Sequence, residues 1–271
     1  MKKLLRDTVR PVALTFIAPV MGFLLILAVE VLMETEISKL LSSVVNLFVV
    51  ALVAFVLFPK RLGIPFGRIE TREFLRKAGF YFPDHAWKHL VLGLILALCT
   101  LSGMLVASIL TGKYTMNAST INLPHVVFSL NPALWEELFY RGVLMFLLLR
   151  LTRSLKLAFV IQVVLFGAAH IKGVDIWALV DAFSVIVLAI GYTYVAYKTR
   201  SLLAGVVFHY FHDAFLFFVQ LPDGIYTGVT ENAMFYGILW LMIGIGCVIT
   251  KLAVDKIGVR APTELYNLEG V

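Results

Sequence analysis

Cysteine and charge are both scarce in this sequence. Only two cysteines, Cys99 and Cys247, occur in 271 residues. Each is isolated in an apolar segment, with no Cys-x-x-Cys pair, which excludes a disulfide framework or thiolate metal site and leaves packing as their expected role. Charged residues make up 15% and hydrophobic residues 61%, against roughly 25% and 45–50% in an average soluble domain. Internal repeats and low-complexity tracts are absent as well. No short apolar core with a small-residue cleavage site stands at the start, so nothing there reads as a removable secretory signal. What remains is apolar sequence recurring to the C-terminus at a mean hydropathy of +0.93, the pattern of an integral membrane protein.

About 20 apolar residues cross a hydrocarbon core as a helix. Eight such spans are predicted, at 11–33, 38–58, 89–111, 131–151, 157–172, 175–197, 201–221 and 232–255. The fold class is therefore all-α, a polytopic membrane helix bundle, in one integral-membrane domain over 1–271. The fifth span is short and must tilt or be flanked by buried backbone. The longest hydrophilic piece, about 59–88, mixes basic residues with aromatics ("PKRLGIPFGRIETREFLRKAGFYFPDHAWKH") and is expected to lie on the membrane surface.

Of the 23 Lys and Arg residues, all but Lys39, Lys113, Lys172 and Arg141 fall on one predicted face. The positive-inside rule then places both termini in the cytoplasm, with a prokaryotic cell membrane as the expected location. A net charge of +6 could suggest nucleic acid, but basic residues dispersed between apolar spans fit anionic lipid head groups instead. The bilayer is an expected partner and nucleic acid is not. The "NAS" at Asn117 is a weak sequon match in an outer loop.

Ionisable side chains inside apolar spans are costly and need a cavity or a partner. In the fourth span, "LWEELFYRGVLMFLLLR" carries Glu136, Glu137 and Arg141. Glu137 and Arg141, four apart with the acid first, are placed to form a supporting ion pair. Glu136 lies about 100° around the helix, beyond easy reach of the same arginine, and is left for chemistry. In the fifth span, "FGAAH" sets Phe166 and His170 on one face, with small residues between them that allow close helix approach. In the seventh, "HYFHD" sets His209 and Asp213 on one face, with His212 to the side. Histidine and carboxylate together move protons at neutral pH. Glu136, His170, His209 and Asp213 are the catalytic candidates; Glu137, Arg141 and Phe166 are read as supporting, and His212 as structural. Glu30, Asp175 and Asp181 are solitary and read as structural.

These three elements follow the order Glu-Glu-x-x-x-Arg, Phe-x-x-x-His and His-x-x-x-(Asn or Asp), each on its own span, and so resemble the CPBP family of CAAX proteases and bacteriocin-processing enzymes. The resemblance implies a metal-independent intramembrane glutamic endopeptidase without a cofactor. In it Glu136 and His170 would activate water, while His209 and its partner four residues on would form the oxyanion site. The substrate would be a peptide or small protein, with a prenylated CAAX-type C-terminus as one candidate. Members that process CAAX sequences commonly have Asn where this chain has Asp213. An ionised carboxylate cannot donate a hydrogen bond, so Asp213 must act in its acid form or orient His209. Two other classes stay open. Glu, His and Asp could ligate zinc, although His-Glu-x-x-His is absent, and a proton-coupled transporter or scaffold could use the same groups, although transporters often show repeats and broken spans. The sequence fixes no oligomeric state.

Overall fold

The structure, a computed structural model, describes residues 78–112, 115–116, 129–171, 173–216, 219–220 and 228–258, together with residues 72, 75, 76 and 126. The expected spans 11–33 and 38–58, most of the 59–88 segment, Glu30 and Asn117 lie outside the described residues.

The architecture is helical: α1 (Ala86–Thr111), α2 (Leu130–Glu136), a π-helical stretch (Glu137–Leu144), α3 (Met145–Thr152), α4 (Leu155–Ala168), α5 (Ile176–Thr199), α6 (Leu203–Leu216) and α7 (Val229–Ile257). Two short strands, β1 (Thr115–Met116) and β2 (Val219–Gln220), pair antiparallel. Three helices, α1, α5 and α7, are long and apolar enough to cross a bilayer. At 1.5 Å per residue they measure about 39, 36 and 44 Å, against a hydrocarbon core of about 30 Å. α4 has 14 residues, about 21 Å.

The six expected spans that fall among the described residues appear as helical segments with altered ends. The fourth runs from Leu130 to Thr152, but π-helical through its middle rather than uniformly α. The fifth is Leu155–Ala168 rather than 157–172, with a turn at 169–170 that takes His170 off the helix. The third begins at Ala86, inside the piece expected to lie on the surface.

Local chemistry sets these ends. Ser154 caps α4 by accepting from Leu157 N at 3.3 Å. Asp175 caps α5 by accepting from Trp177 N and Ala178 N at 2.9 and 3.1 Å, satisfying donors that an apolar surrounding would otherwise orphan. Gly112 and Gly258, at φ 66° and 65°, close α1 and α7 in the left-handed conformation that costs glycine nothing. Within the helices, the hydroxyls of Thr100, Ser108, Thr111 and Ser184 donate to the carbonyl four residues back, so each polar group is satisfied inside its own helix.

The apolar residues of α1 and α7 divide between two environments. Leu92, Leu96 and Ile243 are buried, whereas Leu98, Ile109, Leu241 and Val248 point outward, the all-round hydrophobicity of helices bathed in lipid. Glycines let the helices close up. A Cβ on Gly93 would stand 2.5 Å from Ala204 O of α6, and one on Gly103 would stand 2.6 Å from Met242 Cβ of α7. Both cysteines are free and face glycines of neighbouring helices, Cys99 against Gly246 and Cys247 against Gly191, in keeping with a packing role.

Helix direction alternates, so that the start of α1 meets the end of α7, where Lys88 Nζ donates to Ile257 O at 3.1 Å. The α5–α6 turn meets the chain before α1 through Leu202 N and Gly79 O at 3.0 Å. Lys88, Lys198, Arg200 and Lys256 gather at that end. Asp175 and Glu231 sit at the starts of α5 and α7, the opposite end.

Candidate active site

Three stretches of chain bring the ionisable groups together. The junction of α2 and the π stretch supplies Glu136, Glu137 and Arg141. The turn after α4 supplies His170, and α6 supplies His209 and Asp213. All four catalytic candidates meet. His170 Nε2 lies 3.8 Å and His209 Nε2 3.7 Å from the same oxygen, Glu136 Oε2. Asp213 Oδ2 lies 3.5 Å from His209 Nε2. Among the described residues Glu136 Oε2 is buried without a hydrogen-bond partner.

Each imidazole is oriented from its far nitrogen. His170 Nδ1 lies 2.8 Å from Phe166 O. A carbonyl only accepts, so Nδ1 carries a proton and Nε2 is turned toward Glu136. Leaving the helix in a turn, His170 still reaches back to the residue four earlier, and its ring lies 4.5 Å from that of Phe166. His209 Nδ1 lies 3.1 Å from Glu137 Oε1, which likewise directs Nε2 toward Glu136 and Asp213.

Glu137 therefore has a second partner beyond the one its spacing suggests. Arg141 Nη1 donates to Glu137 Oε1 at 3.2 Å, with both side chains shut off from solvent, as the spacing predicts. The same oxygen receives His209. In a regular α-helix Glu136 and Glu137 diverge by about 100°; the wider i→i+5 turn of a π-helix begins between them and lets both meet α6. Gly205 clears the space, since a Cβ there would stand 2.5 Å from Glu137 Oε2.

Arg141 is held on four sides. Its guanidinium carbon stands 3.8 Å from the Phe166 ring centre and 4.0 Å from that of Tyr192, a cation between two aromatic faces. Its Nε donates to Thr193 Oγ1 at 3.4 Å, and Thr193 Oγ1 donates to Gln162 Oε1 at 3.0 Å. Tyr192, Thr193 and Gln162 were not singled out by the sequence. Their signal was available, since Gln162, Phe166 and His170 recur every four residues and a buried glutamine in an apolar span needs a partner.

The residues read as structural have structural partners. His212 stacks on Phe208 at 5.7 Å, Asp175 caps α5, and Asp181 accepts a hydrogen bond from the Tyr236 hydroxyl. Among the described residues no group of three or more His, Cys, Asp or Glu side chains is disposed to hold a metal ion.

No curated protein and no solved structure matches the chain. Residues 118–215 match the family model described as "Type II CAAX prenyl endopeptidase Rce1-like", a stretch that runs from before Glu136 to beyond Asp213. Over that stretch, which carries all three motifs, the chain is similar to the CAAX-type membrane proteases.

Proposed function

We propose that this site hydrolyses a peptide bond with water activated by Glu136 and His170. The observation that carries the reading is Glu136 Oε2, a buried carboxylate oxygen without a hydrogen bond among the described residues, facing the Nε2 atoms of two histidines at 3.8 and 3.7 Å. A water between Glu136 and His170 gives one proton to the carboxylate as its oxygen attacks the scissile carbonyl carbon. The carbonyl π electrons move onto oxygen. In its doubly protonated form His209 donates from Nδ1 to Glu137 and from Nε2 to that oxyanion, and fixed donors in a water-poor site are worth several kcal/mol. Asp213 sets the rotation of the His209 ring. On collapse the C–N bond breaks, Glu136 passes its proton to the leaving amine, and the new C-terminal acid gives its remaining proton through His170 Nε2 to solvent, leaving a carboxylate and a free amine.

The substrate class that the family suggests is a lipidated C-terminal peptide presented from the bilayer. The charge pattern adds an orientation. With Lys88, Lys198, Arg200 and Lys256 in the cytoplasm, α2 starts at the outer face, so Glu136 lies within roughly 8–9 Å of it and the site is reached from outside.

The test uses purified full-length protein in detergent and a fluorogenic CAAX-type peptide, with and without a prenyl group. Glu136→Gln keeps the shape but removes the proton acceptor, and is expected to abolish cleavage with an unchanged melting temperature. Cleavage by that variant refutes the glutamic mechanism. Loss of wild-type cleavage on adding a chelator assigns the site to metal chemistry instead.

A further inference from the structure

We propose that Thr193 and Gln162 are positioning residues for this reaction, the far end of a directional hydrogen-bond chain that runs through Arg141 and Glu137 and fixes the orientation of His209. The inference rests on the reading of His209 as the oxyanion donor.

The direction follows from the donors. Arg141 Nε can only donate, so Thr193 Oγ1 accepts at 3.4 Å. The threonine proton is then free to go to Gln162 Oε1, 3.0 Å away, which fixes the amide with its NH2 pointing elsewhere. Gln162 is sealed and Thr193 nearly so, leaving no ready access for solvent to replace either bond. Phe166 and Tyr192 confine the guanidinium to a plane but do not stop it turning within that plane. The Thr193 bond does. It holds Nε toward α5 and so presents Nη1 to Glu137 Oε1 at 3.2 Å. That oxygen also receives His209 Nδ1 at 3.1 Å, so displacement of the guanidinium moves the carboxylate and then the ring. The chain links α4, α5, the π stretch and α6, each contributing one or two members.

A packing role has no need of this directionality. Valine at 193 and leucine at 162 keep most of the volume but remove the relay. The charged and titratable groups around His209 are Glu136, Glu137 and Arg141 from the α2–π rod, His170 after α4, Tyr192 from α5, and His212 and Asp213 from α6. None of them is altered by the two substitutions.

The experiment compares wild type with Thr193→Val, Gln162→Leu and the conservative Thr193→Ser, all full length and in lipid nanodiscs. The first readout is the ring-nitrogen NMR spectrum of 15N-histidine-labelled protein, with His209 assigned from a His209→Asn sample. Thr193→Val and Gln162→Leu are expected to shift the His209 nitrogens, and Thr193→Ser to restore them. The second readout is peptide cleavage. In Thr193→Val, kcat is expected to fall about tenfold, equivalent to about 1.4 kcal/mol of barrier, with KM unchanged and the pH profile displaced, while Thr193→Ser keeps the wild-type profile. Unchanged His209 nitrogens in both disruptive variants overturn the proposal whatever the peptide assay gives. Shifted nitrogens with wild-type kcat overturn its catalytic part. If the wild type cleaves no peptide while the nitrogens shift, the protease reading falls and the hold on His209 stands.

Discussion

Replacing Glu137 by glutamine separates the electrostatic role of this residue from its shape. The carboxylate is fully buried, and one of its oxygens receives both Arg141 and His209. Breaking a buried ion pair by removing one partner costs roughly 3–5 kcal/mol, because the other charge is left uncompensated. Two features soften this. The amide oxygen still accepts a hydrogen bond, and the rings of Phe166 and Tyr192 continue to face the guanidinium, a contact worth on the order of 2 kcal/mol when desolvated. The net loss is then about 2–3 kcal/mol, a fall in melting temperature of roughly 5–10 °C by the scaling for chains of this size. Tryptophan fluorescence during heating in detergent measures it. Arg141→Met alone should also destabilise, and the double variant Glu137→Gln/Arg141→Met should regain much of the loss because it leaves no unpaired ion. Activity should not return, since His209 Nδ1 has lost its anion. Additive losses in the double variant, or a single Glu137→Gln variant as stable and active as wild type, would refute the reasoning.

Gly205→Ala should disable the enzyme without touching a polar group: its Cβ would stand 2.5 Å from Glu137 Oε2, and a carboxylate pinned by two partners cannot swing aside, so overpacking of about 1–3 kcal/mol is expected. A melting curve and a cleavage assay check it, and wild-type values for both would show that the contact relaxes freely. Asp213→Asn should be slower at every pH if the carboxylate orients His209 across the 3.5 Å contact. Retained activity with only the acid side of the profile lost would make Asp213 a donor in its acid form instead. Single cysteines at Thr115 and Ser154 report the orientation: an impermeant thiol reagent on intact cells should label position 115 and spare 154, and the reverse pattern would turn the site toward the cytoplasm.

The ionisable cluster was legible because charge inside an apolar span is conspicuous and helical spacing converts directly into a shared face. Glu137 with Arg141 and His209 with Asp213 follow from that rule alone. Spacing within one helix is silent about contacts between helices, so the bond from Glu137 to His209 was invisible, and Glu137 read only as the partner of Arg141. The π stretch left no mark either, since nothing in "ELFYRGVL" distinguishes an i→i+5 turn from an i→i+4 turn. His170 was placed on a helix because Ile171 prolongs the apolar run, whereas the chain tightens into a turn in which His170 N donates to Gly167 O at 2.9 Å. Thr193 and Gln162 escaped because they carry no charge, although burial makes their hydrogen bonds as consequential as an ion pair.

The π-helical stretch also imposes a length constraint of a kind that a surface turn does not. Its wider turn holds one residue more than an α-helical turn. Delete a single residue between Glu137 and Leu144, and the wide turn can close to the α form with the two flanking halves keeping nearly their places. Leu144, Met145 and Phe146 then stay locked in the core, and the misfit falls on the glutamates at the start of the wide turn. An α-helical turn there no longer points both of them at α6. Insertions and deletions that drift harmlessly through a surface turn would here uncouple the carboxylates from the histidines, so the surplus residue is as much a part of the site as any side chain in it.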